Sequence, residues 1–182
     1  MKTGVSLALC TLLPLNVLSY APNPAITVAA KGMGLLKPLF KAEAELQAAA
    51  LGAIGKIDQE MITNEINAEK TKNKALIYTY GLSPFSSEAV SLLEASGYEY
   101  TEIELGAEWF LLGPKESVTR VALSKEVDNG ATSLPKIFIG GKCIGGCSEL
   151  AELVNNGELD NLMSKAKVSK KGEKKSIFPF FK

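Results

Sequence analysis

The sequence predicts an α/β domain: a four-stranded mixed sheet flanked by helices, with a helical N-terminal extension. Two observations indicate this class. From Lys74 onwards, short apolar runs of strand type alternate with helix-like runs in the order β-α-β-α-β-β-α. Two of the strands are joined by a Gly-Gly turn, which is typical of a hairpin. A β-α-β unit followed by a hairpin and a covering helix suggests a central mixed sheet with helices on both faces.

The first half of this domain, which spans residues 74–165, begins with an apolar strand over residues 75–79. Residues 84–96 follow as a helix with a helical spacing of apolar residues, and Gly97 stops it. Acidic and apolar residues alternate over residues 98–105, which predicts a strand with one buried face.

The second half repeats the alternation and then adds the hairpin. Residues 115–127 predict a helix with valines on one side. Residues 136–139 and 142–144 predict the two strands of the hairpin. Residues 147–154 predict the covering helix, and residues 158–165 add one or two further turns.

Before the domain, residues 42–73 are rich in good helix formers and predict one or two helices. Apolar residues recur there at spacings of three and four and predict one amphipathic face, formed by Leu46, Ala50, Ile54, Ile57 and Met61. We expect this extension to be a solvated linker helix.

The first 41 residues have the features of targeting segments. Residues 1–20 carry an early lysine and then a leucine-rich stretch, which favours a signal peptide over a buried N-terminal helix. Residues 21–41 contain three lysines and no acidic residue. Together they resemble the two-part import sequences of algae with secondary plastids, so we expect a plastid location. Secretion, or a short amphipathic surface helix at residues 21–41, is the alternative.

Composition excludes several classes of function. Lysine plus arginine equals aspartate plus glutamate at 20 each, which gives no case for nucleic acid binding. The chain has no histidine, which excludes Ser-His-Asp and Cys-His mechanisms. Three cysteines, Cys10, Cys143 and Cys147, are too few for a four-cysteine zinc site, and we expect no metal.

Three short stretches resemble the glutaredoxin family, which has the thioredoxin-like fold. They are SPFS at residues 83–86, TSLP at residues 132–135 and GGKCIGGCSEL at residues 140–150. The first lies where glutaredoxins carry Cys-Pro-Tyr-Cys or Cys-Gly-Phe-Ser, the second is similar to their Thr-Val-Pro, and the third to their glycine-rich glutathione loop. The resemblance covers about half of the chain.

The resemblance implies a site for glutathione, or for a cysteine-containing protein segment. Pro135 is then cis, the backbone of Leu134 pairs with the cysteinyl part of the ligand, and the amides of Cys147 and Ser148 bind the γ-glutamyl carboxylate. The binding residues that it implies are Tyr80, Phe85, Ser133, Leu134, Pro135, Gly145, Gly146, Cys147 and Ser148.

The sequence departs from the family at its chemical centre. Ser83 occupies the position of the nucleophilic cysteine and Ser86 that of the resolving cysteine. A hydroxyl forms no disulfide and supplies no thiolate, so we expect neither glutaredoxin turnover nor an iron–sulfur cluster. Tyr80 stands where the family usually has a lysine that reaches a glutathione carboxylate.

Three functions remain open. The favoured one is a non-catalytic or weakly active binding and regulatory module. The second is a glutathione-dependent thiol-disulfide oxidoreductase that works through Cys147, whose helix N-terminal position would lower its thiol pKa, with Cys143 as a disulfide partner. The third is attachment to a membrane surface or a protein complex through the helical extension and the basic, Phe-rich tail at residues 166–182.

Overall fold

The computed structural model describes residues 21–172, and its centre is a four-stranded sheet. The strands are β1 (Ala75–Thr79), β2 (Thr101–Glu104), β3 (Lys136–Ile139) and β4 (Lys142–Gly145), in the spatial order β2-β1-β3-β4. β1 pairs with β2 in parallel and with β3 in antiparallel, and β3 pairs with β4 in antiparallel. The predicted mixed sheet is therefore confirmed.

Seven α-helices surround the sheet in the part of the chain that the structure describes. They are α1 (Pro24–Gly32), α2 (Lys37–Gly55), α3 (Gln59–Lys72), α4 (Pro84–Ser96), α5 (Pro114–Ser124), α6 (Cys147–Asn155) and α7 (Leu159–Lys165). Short 3-10 segments join α1 to α2 and precede α5. None of the described helices is long and apolar enough to span a membrane.

The side chains of β1 alternate between two cores. Ala75 and Ile77 point into the first core, between the sheet and α4, α6 and α7. Leu76 and Tyr78 point into the second core, between the sheet and α2, α3 and α5. Every residue of β1 is buried because both faces of the strand are covered, as expected for a central strand in a layered α/β fold.

The N-terminal extension is part of the second core rather than a solvated linker. Ile62 and Ile66 of α3 are buried there, and α2 packs on α5 through small residues, with Ala48 buried between them. Gly52 lies so close to α5 that a Cβ added to it would stand 2.9 Å from the Cγ2 of Val118. Small residues thus allow the two helices to approach closely.

The prediction of which face of the extension is buried is wrong. Leu46 is 73% exposed and Ile54 is 77% exposed, and Met61 is exposed as well. Hydrophobic periodicity selects the large side chains of this segment. The residues of α2 that face the domain are instead alanines and glycine, Ala44 and Ala48 among them. A close helix–helix contact requires small side chains, and hydrophobic periodicity gives such residues little weight.

Two boundaries differ from the prediction. β2 covers only Thr101–Glu104 because the residues before it pair with the start of the tail instead. Glu99 N–H donates to the carbonyl of Ser169 at 2.8 Å, and Lys171 N–H donates to the carbonyl of Gly97 at 2.8 Å. The residues that follow residue 165 therefore still pack on the domain. The predicted signal segment at residues 1–20 and the Phe-rich end of the tail lie outside the described residues.

Candidate functional site

A cleft of about 470 Å³ opens at the end of the sheet, where the N-termini of α4 and α6 meet the turn before β3. Its size is in the range of ordinary small-molecule sites. Ten predicted site residues line it together: Tyr80, Ser83, Phe85, Ser133, Leu134, Pro135, Gly145, Gly146, Cys147 and Ser148. Ser86 is the predicted site residue that does not line it.

The α4 side of the cleft begins with a helix cap. Ser83 is the N-cap, and its Oγ accepts a hydrogen bond from the Ser86 N–H at 3.4 Å. Pro84 takes the first helical position, where its missing N–H costs nothing. Ser86 turns inward, and its Oγ accepts from the Tyr80 N–H at 3.1 Å. Ser86 therefore ties the helix to the end of β1, and only Ser83 faces the cleft.

The opposite side is formed by the turn before β3 and the start of α6. The Leu134–Pro135 peptide bond is cis, as the resemblance implied. Gly146 lies against this turn, because a Cβ added to it would stand 3.1 Å from the carbonyl oxygen of Pro135. Gly145 has a φ of +113°, a conformation that favours glycine. The glycine pair thus brings the α6 N-terminus next to the turn.

Glu149 caps the start of α6. Its Oε2 accepts from the Gly146 N–H at 2.8 Å and from the Ser148 Oγ at 3.0 Å. Burial alone would raise the pKa of Glu149, but these hydrogen bonds and the charge of Lys136 outweigh it and lower the pKa. The N-terminus of α6 therefore already binds one carboxylate, that of Glu149, which agrees with the affinity of helix N-termini for anions.

Lys136 brings a buried positive charge to the cleft. It is 3% exposed, and its Nζ donates to the Ser133 carbonyl at 2.5 Å. Burial lowers the pKa of Lys136 to about 8, with smaller contributions from the charges of Lys37 and Arg120, although Cys143 and Glu149 oppose the shift. Within residues 21–172, Lys136 forms no ion pair.

Sequence reasoning missed Arg120, which also lines the cleft. Its Nη1 donates to Glu43 Oε2 at 2.9 Å, and its Nε donates to the Thr132 carbonyl at 3.2 Å. The guanidinium lies over the Trp109 ring, 5.6 Å from its centroid. One signal was available, because Arg120 is the only arginine of the chain and stands on a helix with an apolar side.

Tyr80 presents an unused polar group to the same cleft. It is 4% exposed, and its hydroxyl forms no hydrogen bond of good geometry among the described residues. Burial raises the pKa of this hydroxyl, and the nearby Arg120 guanidinium opposes the rise through its charge and as a hydrogen-bond donor. A buried hydroxyl without a partner is costly, so this atom indicates a place for a ligand acceptor.

Comparison with known proteins identifies the family, although no protein-family model matches the chain. A probable glutaredoxin of Synechocystis sp. is 37% identical over 90 residues, which cover 50% of this chain and 92% of that protein. The chain belongs to the glutaredoxin family. The monothiol glutaredoxin-S12 of Arabidopsis thaliana, described as chloroplastic, is 34% identical over 95 residues. The match with this glutaredoxin covers 50% of the length of the Arabidopsis protein.

A solved structure supports the same architecture. The crystal structure of a buckwheat glutaredoxin–glutathione complex matches this glutaredoxin with a TM-score of 0.53 at 23% identity. The match covers 60% of this chain and 93% of the buckwheat chain. It confirms the thioredoxin-like fold.

The two described cysteines of this glutaredoxin do not form a reactive pair. Both are free thiols. Cys143 packs on the second core and Cys147 belongs to the first, so they lie on opposite faces of the sheet. Burial raises the pKa of Cys147 to about 11, and the negative charges of Glu88 and Glu149 add to the rise. The expectation of a lowered pKa is wrong, because burial and the two carboxylates raise it.

This burial predicts slow alkylation of Cys147. In the native chain at pH 8, iodoacetamide should modify Cys147 roughly 100-fold more slowly than in the unfolded chain, because little thiolate forms. Half-buried Cys143 serves as the internal control, and mass spectrometry of the peptides resolves the sites. Faster labelling of Cys147 than of Cys143 would contradict this description of the site.

Proposed function

We propose that this glutaredoxin binds glutathione, or a cysteine-containing peptide segment, without covalent turnover and serves as a redox-related binding or regulatory module. One observation carries the proposal: the nine residues implied for a glutathione site line one cleft, while the position that faces it from the α4 cap is a serine. The buckwheat protein, which shares the fold, is described in complex with glutathione.

The donors of the cleft fit the chemistry of glutathione, which has a carboxylate at each end and a peptide backbone between them. Beside the Glu149 carboxylate, which already accepts the Gly146 N–H, the first turn of α6 offers the N–H groups of Cys147 and Ser148 to one carboxylate. Lys136 and Arg120 offer positive charge to the other, and the Tyr80 hydroxyl offers one further hydrogen bond. Leu134 also lines the cleft, and its backbone is the partner that we propose for the cysteinyl residue.

The absence of a thiol at the α4 cap limits the chemistry. Glutaredoxin turnover requires a thiolate that attacks a disulfide sulfur and forms a mixed disulfide. Ser83 lacks that sulfur, and no histidine is available to activate its hydroxyl. A thiolate-ligated iron–sulfur cluster does not fit this donor set either. Ser83 instead caps the helix and offers a neutral hydroxyl beside the ligand thiol.

We also propose a plastid location. The Arabidopsis relative is described as chloroplastic, and residues 1–41 have the composition of a two-part import sequence. Imaging of the full chain with a C-terminal fluorescent fusion tests this part of the proposal. Fluorescence confined to the secretory pathway would contradict it.

Removal of the Tyr80 hydroxyl tests the binding site. Because this hydroxyl has no partner in the free protein, Tyr80→Phe should not lower the free energy of unfolding and should raise it by up to about 1 kcal/mol. The same change should weaken glutathione binding by roughly fivefold, through loss of one hydrogen bond.

Calorimetric titration with reduced glutathione and thermal unfolding measure the two effects. Tyr78→Phe is the matched control, because Tyr78 is buried in the second core and does not line the cleft. No heat of binding at about 10 mM glutathione, well above an ordinary millimolar dissociation constant, would refute the proposed function. Equal affinities of the parent chain and Tyr80→Phe would remove Tyr80 from the site.

The lowered pKa of Lys136 predicts opposite pH trends for stability and binding. The folded pKa of about 8 lies below the usual lysine value, so the unfolded chain binds more protons between about pH 8 and pH 10. The contribution of this group to stability therefore rises with pH above about 8. Affinity for an anionic ligand should fall roughly tenfold from pH 7 to pH 9, as the charge is lost.

Lys136→Met is the control for both trends, since it keeps the length of the side chain without the charge. The unfolding free energy of the parent chain should rise relative to that of Lys136→Met as the pH rises from 7.5 to 9. Binding of S-methylglutathione, whose thiol cannot ionise, should be less pH-dependent in Lys136→Met than in the parent. Parallel pH profiles of the two chains would contradict the assignment of the lowered pKa to Lys136.

A further inference from the structure

One wall of the cleft lies outside the segment that resembles glutaredoxins. Five residues of the N-terminal helices line it: Ala30, Lys31, Met33, Lys37 and Phe40. They come from the end of α1, the 3-10 segment and the start of α2. This wall faces the same space as Ser83 and Pro135.

The N-terminal wall is anchored on both sides of the cleft. On one side, the Asn23 N–H donates to Glu88 Oε1 at 2.7 Å, and Lys31 forms an ion pair of 2.5 Å with Glu152 of α6. On the other side, the Thr132 Oγ1 donates to the Phe40 carbonyl at 3.2 Å. The segment between these anchors therefore crosses the end of the sheet beside the site.

Lys37 is placed where a positive charge is unfavourable in the free protein. It is the first residue of α2, a position at the positive end of the helix dipole, and the first turn of α2 contains no acidic residue. Its charge, like that of Arg120, also acts on buried Lys136. Within residues 21–172, Lys37 forms no ion pair, whereas Lys31 and Lys41 each do.

Four cations line one cleft, and besides Lys31, which pairs with Glu152, they are Lys37, Arg120 and Lys136. Glu43 balances Arg120, whereas neither Lys37 nor Lys136 forms an ion pair in the described part of the chain, although the carboxylates of Glu108 and Glu149 also line the cleft. The unpartnered Tyr80 hydroxyl lies in the same cleft and independently indicates a missing acceptor. An anion bound between these groups would relieve the repulsion and use the free hydrogen bond.

We propose that the N-terminal wall is an integral part of the ligand site and that Lys37 binds one carboxylate of the ligand. The inference rests on the proposed function and specifies the ligand as a small thiol peptide with a carboxylate at each end. One carboxylate lies at the α6 N-terminus, and the glycine carboxylate lies between Lys37 and Lys136. Residues 30–40 are then required for ligand binding.

A comparison of two lysine variants tests this inference. Lys37→Gln should weaken the binding of reduced glutathione by about tenfold, because a charge-assisted hydrogen bond is lost. Lys41→Gln is the matched control, because Lys41 lies one turn further along α2, pairs with Glu45 and does not line the cleft. The control variant should bind like the parent, and neither change should lower the thermal stability by more than a few degrees.

Glutathione ethyl ester, which blocks the glycine carboxylate, makes the test specific. The ester should bind the parent chain at least about tenfold more weakly than glutathione, and this difference in affinity should be clearly smaller in Lys37→Gln, which keeps only the contact with Lys136. If the parent binds glutathione and Lys37→Gln binds it as well as Lys41→Gln does, the inference fails while the proposed function stands. If the parent does not bind glutathione, both fail.

Discussion

Replacement of Ser83 by cysteine is expected to give glutathione-dependent disulfide reductase activity at least about 100-fold above that of the parent chain, since it restores the nucleophile. Ser83 faces the cleft from the N-cap of α4, where the helix dipole and unpaired N–H groups favour a thiolate. The introduced thiolate attacks the glutathione sulfur of a mixed disulfide and releases the other thiol. A second glutathione thiolate then regenerates the protein and leaves as oxidised glutathione.

Ser86→Cys is the matched control for this experiment. Ser86 is buried one turn further along α4, and its hydroxyl is used by the Tyr80 N–H rather than presented to the cleft. Its replacement should give no reductase activity, and the parent chain should stay inactive with its native cysteines intact. A correctly folded Ser83→Cys protein that remains inert would show that the cleft does not place a glutathione disulfide against the α4 cap.

Truncation of Ile62 is expected to lower the free energy of unfolding by about 2–5 kcal/mol. The side chain is fully buried in the second core, although it belongs to the N-terminal extension. Ile62→Ala removes its contacts with the sheet side of that core and leaves a cavity. The effect would show that the extension and the sheet fold as one unit.

Leu46→Ala provides the comparison, because Leu46 lies on the face that hydrophobic periodicity selected and yet is exposed. This change should alter the free energy of unfolding by no more than about 0.5 kcal/mol. Urea unfolding followed by circular dichroism measures both variants. Equal losses for the two variants, or a separate early transition for the extension in the parent chain, would contradict the packing described above.

Local signals made the core of the domain predictable from sequence. β1 and α4 were predicted to the residue, because an apolar strand run, a Ser-Pro helix start and a Gly97 stop all act within a few residues. Gly97 has a φ of +73°, the left-handed conformation that ends many helices at glycine. The site residues that share these motifs were found for the same reason.

Features that depend on distant packing were not predictable. The buried face of α2 is set by how closely α5 approaches Gly52, and a single helix does not contain that information. Lys37 and Arg120 reach the cleft from elements that the family motifs do not include. The pKa of Cys147 is raised by burial and by the charges of Glu88 and Glu149, and only the folded chain brings these together around the thiol.

A titration of the isotope-labelled full chain with reduced glutathione, followed by amide NMR, tests the central claim most directly. The claim is that a glutathione cleft persists without its reactive sulfur. We predict saturable shifts that are largest at Leu134, Gly146, Cys147 and Ser148 and extend to the start of α2. The absence of saturable shifts at about 10 mM ligand, or shifts confined to surfaces away from these residues, would contradict it.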